Sequence, residues 1–207
     1  MPAFEPVVAT YVCGRLRRVK VLSYPEAAVP VDLREQQHRI QKQEWPSDDK
    51  AEGLVHDAAL RPLTMLLVEA NTVLATLDVL FKDVTHAGHR FAACGLSTVV
   101  TSEEHRGRGF GRELVAAAHE QMRAIDVDLA LFTCDRRLQS FYVSSGFQVL
   151  PGSVLIGGTR DQPFPSDQPG FDKITLGDFF TPRARAARES FAHARIELFP
   201  GDLDRLW

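Results

Sequence analysis

What this chain has little of narrows it before any motif is read. Its three cysteines, Cys13, Cys94 and Cys134, are odd in number and far apart. Neither a disulfide framework nor a zinc site is expected from them; no metal is expected, and buried, reduced thiols are the expected state. No apolar run comes near the roughly 18 residues that a membrane span needs. The longest, such as residues 63–67 and 127–132, are far shorter. The first 25 residues lack a signal-peptide pattern, so a cytoplasmic location is expected. Strong charge of one sign is missing too. The chain has 24 basic against 27 acidic side chains, a net charge of −3, which gives no general attraction to nucleic acid or to a membrane surface. Neither is an expected partner, and any anion site must be built locally.

What is present suits one soluble domain. At 207 residues the chain is long enough for a single core. We expect one domain over residues 1–207, with a core over about 14–176 and an extension over about 177–207 that covers a cleft or makes a homodimer contact. Residues 14–24, GRLRRVKVLSY, alternate imperfectly and predict a strand whose wet face carries Arg15, Arg17, Arg18 and Lys20. Pro25 then suits the first turn of a helix running to about Gln43, followed by a loop, EWPSDDKAEG. Residues 61–83 predict two strands hinged at Asn71, and residues 89–102 a third, more apolar strand central in the sheet.

That third strand runs into HRGRGFGREL, residues 105–114. Beyond Gly109 the apolar positions Phe110, Leu114, Val115, Ala118, Met122 and Ile125 follow helical spacing. Three glycines at a helix entrance need a backbone reason, because glycine is a poor helix former. Glycine allows positive φ and close approach to a ligand, while the first helix amides are unpaired donors at the positive end of the macrodipole. With Arg106, Arg108 and Arg112 around Gly107, Gly109 and Gly111, the stretch describes an anion cradle, suited to a pyrophosphate. It is not a P-loop, since Gly111 is followed by Arg112 and Glu113 rather than Lys and Ser or Thr. Nor does the glycine spacing match the dinucleotide fingerprint Gly-x-Gly-x-x-Gly.

Arg106-x-x-Gly109-x-Gly111 at a strand-to-helix junction resembles the acetyl-CoA signature of the GNAT N-acetyltransferase superfamily. A second likeness follows at the family's separation: a buried strand, DVDLALFTC, then DRRLQSFYVSSGF, a helix carrying Tyr142 and ending at Gly146, then a short strand. The resemblance covers about residues 63–150. It implies an α/β GNAT (acyl-CoA N-acyltransferase) fold with a mixed, mostly antiparallel sheet and a splayed parallel pair flanked by helices. The activity implied is transfer of an acetyl group from acetyl-CoA to a primary amine, a small-molecule substrate, by direct attack in a ternary complex. By the same resemblance, main-chain groups of Val99, Val100 and Thr101 would pair with the pantetheine arm. Residues Arg106, Gly107, Arg108, Gly109, Phe110, Gly111 and Arg112 would hold the pyrophosphate, and Tyr142 would protonate the leaving thiolate. Read without the family, Tyr142 is equally a core aromatic with a bonded hydroxyl. Asp135 stands where many relatives have asparagine and is expected to cap the following helix.

A narrower likeness, in the proline-rich acidic stretch and the terminal Trp207, is to the aminoglycoside 2′-N-acetyltransferases. It would place Asp167, Asp172, Asp202, Asp204 and the Trp207 carboxylate against a cationic sugar. Ser97, however, stands where those enzymes have the glutamate that activates the amine. A serine hydroxyl takes up no proton at neutral pH, so the general base is absent from its expected place. This leaves three readings: a small-molecule acetyltransferase, an aminoglycoside 2′-N-acetyltransferase, and a non-catalytic acyl-CoA-binding regulatory module. Glu103, Glu104 and His105 read as a solvated loop, and His86 and His89 lack the partners a metal requires. After a last strand, FDKITL, residues 182–195 predict a helix with Arg185 and Glu189 paired at i,i+4.

Overall fold

The fold was obtained as a computed structural model and describes residues 8–10, 19–46, 55–171 and 173–206. The strands are β1 (Val8–Thr10), β2 (Val19–Pro25), β3 (Leu63–Glu69), β4 (Thr72–His86), β5 (His89–Thr101), β6 (Leu129–Asp135), β7 (Gln148–Val149), β8 (Val154–Gly158), β9 (Pro163–Pro165), β10 (Lys173–Phe179) and β11 (Arg195–Glu197). The helices are α1 (Val31–Glu44), α2 (Phe110–Ala124), α3 (Gln139–Val143) and α4 (Pro182–Ala187). Eight strands form one sheet in the order β1-β2-β3-β4-β5-β6-β10-β7, and β11-β8-β9 form a second.

The turn at Asn71 lies where the sequence puts it. Ala70 and Asn71 both have positive φ, 46° and 65°, the arrangement whose twist suits a two-residue hairpin. Gln36 of α1 holds this turn, donating to the Asn71 carbonyl at 3.0 Å and accepting from the Val73 amide at 2.9 Å. The strand expected to open the chain over residues 14–24 is the second, β2, in which Val19 and Val21 are buried and Lys20 is exposed. Cys13, Arg15, Arg17 and Arg18 lie outside the described residues.

Pro25 ends β2 and does not open a helix. One turn of 3-10 helix follows at Glu26–Ala28, and α1 begins only after Pro30. The second proline explains the difference, since it disfavours helical angles at Val29, which is extended. The helix expected over residues 182–195 also stops early. Its Pro start is correct, with Thr181 capping, but α4 ends at Ala187, a 3-10 turn covers Arg188–Phe191, and β11 follows. Phe191 is fully buried, with ring centroids 5.6 Å from Phe91 and 5.2 Å from Phe179. Seating that ring overrides helix propensity. Arg185 donates to the Phe179 carbonyl at 3.1 Å instead of pairing with Glu189, and β10 is not the last strand.

Two cores sandwich the sheet. On one face α1 buries Leu33 and Ile40 with Leu66, Val68, Val73 and Val100. On the other α2 buries Leu114, Val115, Ala118 and Met122 against a larger cluster that includes Met65, Leu67 and Leu77. Neighbouring residues of β3 thus serve opposite faces, as strand alternation requires. Among the described residues no helix is long and apolar enough to cross a membrane.

The feature that positions a site is where β5 stops pairing. It runs parallel to β6 and pairs with it only at Ala93↔Leu129 and Cys94↔Ala130. Beyond Cys94 the strands diverge while β5 stays on β4 through Thr101. The β4/β5 register slips between Thr76 and Asp78, with Thr98 left-handed at φ 48°. Such a bulge bends a strand and frees main-chain groups.

Candidate functional site

The expected cradle begins where the splayed half of β5 ends. A 3-10 turn, Glu103–His105, leads to Arg106 in an extended conformation, and α2 starts after Gly109. Gly107 and Gly109 are left-handed at φ 75° and 86°, and a side-chain carbon built on either would meet no atom within 4 Å. The strip in front of them is open. No side chain caps α2, so its first amides remain free donors. Gly111 serves differently: a Cβ there would lie 2.6 Å from Thr101 Oγ1, so its bareness lets α2 sit against the end of β5.

The three arginines divide. Arg106 turns back, giving Glu44 a 2.8 Å ion pair and the Thr101 carbonyl a 3.2 Å hydrogen bond. Arg108 and Arg112 are exposed, and neither has an ion-pair partner among the described residues. Phe110 and Val100 point their side chains into the cores, leaving only main chain to a ligand, while Val99 is half-buried. Glu103 and Glu104 are exposed and His105 is half-buried.

The splay itself is a cleft of about 260 Å³. Leu96, Ser97, Thr98 and Val99 line one wall and Thr133, Cys134 and Asp135 the other, with Tyr142, Trp45, Phe171, Lys173 and Leu206 around them. A larger hollow, about 750 Å³ beside Pro62 and Phe81, is lined by neither the splayed half of β5 nor Tyr142. Tyr142 is 6% exposed, edge-on to Phe132 and Phe141 at 5.1 and 4.9 Å. Burial, then the nearby Cys134 and Asp135, push its phenol above the usual tyrosine range. It therefore stays protonated, able to donate into the cleft. The cap expected of Asp135 is absent. Its carboxylate binds Lys173 at 2.5 Å and Arg137 at 3.4 Å, and the Lys173 hydrogen bond holds it below the usual carboxylate range. Cys94 and Cys134 are free and buried.

Behind the Ser97–Thr98 wall lies a group that sequence reasoning missed. Asp78, opposite Ser97 across β4/β5, is fully buried. Thr64 donates to its Oδ1 at 2.5 Å, and Thr98 Oγ1 donates to its Oδ2. His56, 4% exposed, stands between two carboxylates: Nδ1 donates to Asp204 Oδ1 at 2.5 Å, and Nε2 lies 3.4 Å from Asp78 Oδ2. The second distance is that of an ion pair rather than a well-formed hydrogen bond. Burial alone would lower the pKa of His56, but Asp204 and Asp78 together outweigh it and raise it from 6.5 to about 10. The ring is an imidazolium. A signal for Asp78 was available, since it is the lone charge in the apolar run VLATLDVLF.

The acidic residues nominated for a sugar are not gathered into one wall. Asp204 is tied to His56 and to the Asp57 amide, Asp167 pairs with Arg195 at 2.7 Å, and Asp202 is exposed. Asp172 and Trp207 lie outside the described residues. His86 bonds the Ser190 carbonyl and stacks on Phe191.

Comparison with known proteins bears on this geometry. The family model described as "Acetyltransferase (GNAT) domain" matches residues 35–150. A GNAT family N-acetyltransferase of Escherichia coli, YhbS, solved in complex with CoA, is similar with a TM-score of 0.60 and 18% identity, over 90% of this chain and 93% of that one. Escherichia coli ElaA gives 0.53 and 16%, over 77% and 98%. An acyl-CoA N-acyltransferase from Pseudomonas aeruginosa gives 0.52 and 16%, over the same 77% and 98%. At these identities the likeness to the solved structures is one of fold. No curated protein matches the chain in sequence.

Proposed function

The chain belongs to the GNAT acetyltransferase family, and from that premise we propose that it acetylates a primary amine of a small molecule, the amine attacking while acetyl-CoA is bound in the β5/β6 cleft. The observation that carries this is the open strip at Gly107 and Gly109, before an uncapped α2, in the loop that follows the strand opening the cleft. Those residues fit a pyrophosphate. The first amides of α2 lie beside the strip, Arg108 and Arg112 are exposed in the same loop and first turn, and a carbon built on Gly107 or Gly109 would meet no atom within 4 Å. Main-chain groups of Val99 to Thr101, released from β6, pair with the pantetheine arm.

Acetyl-CoA supplies the activated acetyl group, and the rest falls to the chain. Amides freed at the bulge polarise the carbonyl. Tyr142 donates a hydrogen bond to the sulfur as it becomes a thiolate; its raised pKa favours donation over early loss of the proton. The cleft, about 260 Å³ with Trp45 and Phe171 on its border, suits a compact acceptor with an apolar body. An aminoglycoside needs anionic walls, and Asp204 and Asp167 already have cationic partners.

The test is calorimetric binding of acetyl-CoA, followed by thiol release across a panel of alkylamines, arylalkylamines, amino acids, polyamines and aminoglycosides. Binding with release for one compact amine class supports the reading. Binding without release from any amine would make the chain an acyl-CoA-binding module, and no binding would refute the cradle. Tyr142→Phe is expected to lower kcat about tenfold or more with acetyl-CoA affinity kept; unchanged kcat removes Tyr142 from the acid role.

A further inference from the structure

Acetyl transfer needs somewhere for a proton to go. As the amine nitrogen bonds to the acetyl carbon it becomes positively charged, and an N–H proton must leave. Ser97 cannot take it. The carboxylates bordering the cleft are already engaged, Asp135 by Lys173 and Arg137 and Glu44 by Arg106. Thr98 stands apart from them. It lines the cleft, yet its hydroxyl proton is given to the buried carboxylate of Asp78. A hydroxyl with its proton committed on one side keeps lone pairs to accept on the other. Its backbone is also unusual, since a β-branched residue at φ 48° is strained. Such strain persists where surrounding structure enforces it, and it gathers at functional sites.

We propose that the acceptor's proton leaves the cleft through Thr98 to Asp78. The nitrogen lone pair forms the N–C bond, and the C–S bond breaks with its electron pair on sulfur, which Tyr142 protonates. The N–H proton passes to Thr98 Oγ1 as the Thr98 hydroxyl proton passes to Asp78 Oδ2. After products leave, Asp78 returns its proton through Thr98 and Tyr142 regains one from solvent, so each group ends in its starting state. Thr98 is the catalytic residue here, and Asp78 acts through it.

The surroundings of Asp78 make it an acceptor. Asp78 and Asp204 carry two negative charges against the single positive charge of His56. That leaves a buried excess of one negative charge behind the cleft wall. Glu26 adds to it, bonded to the Val55 amide at 2.6 Å. On the opposing side α1 contributes the neutral amide of Gln41, at 3.5 Å, and the more distant His38. The loose 3.4 Å approach of His56 Nε2 leaves Asp78 Oδ2 with room for the incoming proton.

This inference rests on the acetyl-transfer reading, and the test separates the two. The best amine of the panel is used with wild type, Thr98→Val, Thr98→Ser and Asp78→Asn, measuring kcat, KM for acetyl-CoA and the pH profile of kcat. Thr98→Val keeps the shape and loses the relay. Its kcat is expected to fall about 100-fold, with acetyl-CoA affinity unchanged and activity partly restored by added imidazole. Thr98→Ser is expected to keep most of the wild-type rate. Wild-type kcat and pH profile in Thr98→Val would overturn the relay while acetyl transfer stands. Equal loss in Val and Ser would also overturn it, marking Thr98 as a packing residue. Should Asp78→Asn not fold, the Val and Ser pair decides. No thiol release by wild type with any amine overturns both readings, because the relay would serve no reaction.

Discussion

The two ends of the splayed half of β5 are opposites. At one end, around Gly107 and Gly109, polar groups are exposed: uncapped helix amides, two arginines without an ion-pair partner among the described residues, and no described side chain filling the strip. At the other, Asp78, His56 and Asp204 are buried and hold one another. Unsatisfied donors held open by the backbone signal a place for a ligand, because nothing internal repays their lost partners. A closed charged cluster can act on a ligand only through what it touches, which here is the Thr98 hydroxyl. The first end should thus respond to substitution in binding, and the second in stability and turnover.

The largest effect is expected at the closed end. His56→Ala leaves two buried carboxylates without their cation, and loss of one member of a buried ion pair costs about 3–5 kcal/mol. Thermal unfolding measures it. The pH dependence has a definite sign. The pKa of His56 is raised from 6.5 to about 10 on folding, so its contribution is complete below pH 6.5 and is lost as pH rises through 10. Stability of the wild type should fall over that window and that of His56→Gln should fall less. Equal slopes would mean that the imidazole is neutral in the fold and that the two ends differ less than their geometry implies.

At the open end Gly109→Glu places a carboxylate in the anion strip, and acetyl-CoA affinity should drop about 100-fold, or some 2.7 kcal/mol. The new side chain meets no neighbour, so its stability cost should be limited to the strain of a left-handed non-glycine residue, about 1–2 kcal/mol. Gly111→Ala sharpens the contrast within one motif. Its methyl would come within 2.6 Å of Thr101 Oγ1, which should cost about 1–3 kcal/mol of stability through overpacking. Gly107→Ala, with open space around it, should cost about 1–2 kcal/mol, the strain of a left-handed alanine with no clash added. Differential scanning fluorimetry with and without acetyl-CoA separates the three, and equal losses at Gly107 and Gly111 would refute the division of labour.

How legible each end was follows from the same contrast. The open end is local. Its glycines, arginines and helical period are adjacent in the chain, so spacing alone marked the strip and the start of α2, while the tyrosine helix came with the family likeness. The closed end is assembled from afar: His56 and Asp204 are separated by 148 positions, and Asp78 reaches Thr98 across a β-bulge. Neither periodicity nor turn chemistry reports such pairings. Local rules also failed where a distant core contact overrode them, as when the burial of Phe191 ended the arginine-rich helix. The capping role given to Asp135 failed likewise, because Lys173, 38 positions away, takes its carboxylate.

The smallest predicted effect tests whether the three arginines of the cradle are equivalent. Arg106 is held by Glu44 in a pair whose side chains are 45% and 39% exposed, and such surface pairs contribute about 0–1 kcal/mol. Arg112 has no such partner among the described residues and keeps its charge for an incoming anion. Arg112→Ala should therefore weaken acetyl-CoA binding more than Arg106→Ala, and the gap should narrow in high salt as screening grows. Glu44→Ala is the informative reversal. It releases the Arg106 guanidinium, and affinity should rise about threefold, which stays within the 0–1 kcal/mol such a pair is worth. If Glu44→Ala instead weakens binding, Arg106 acts as a brace that fixes the loop between Thr101 and Gly107, and the pair belongs with the closed, structural end of the strand.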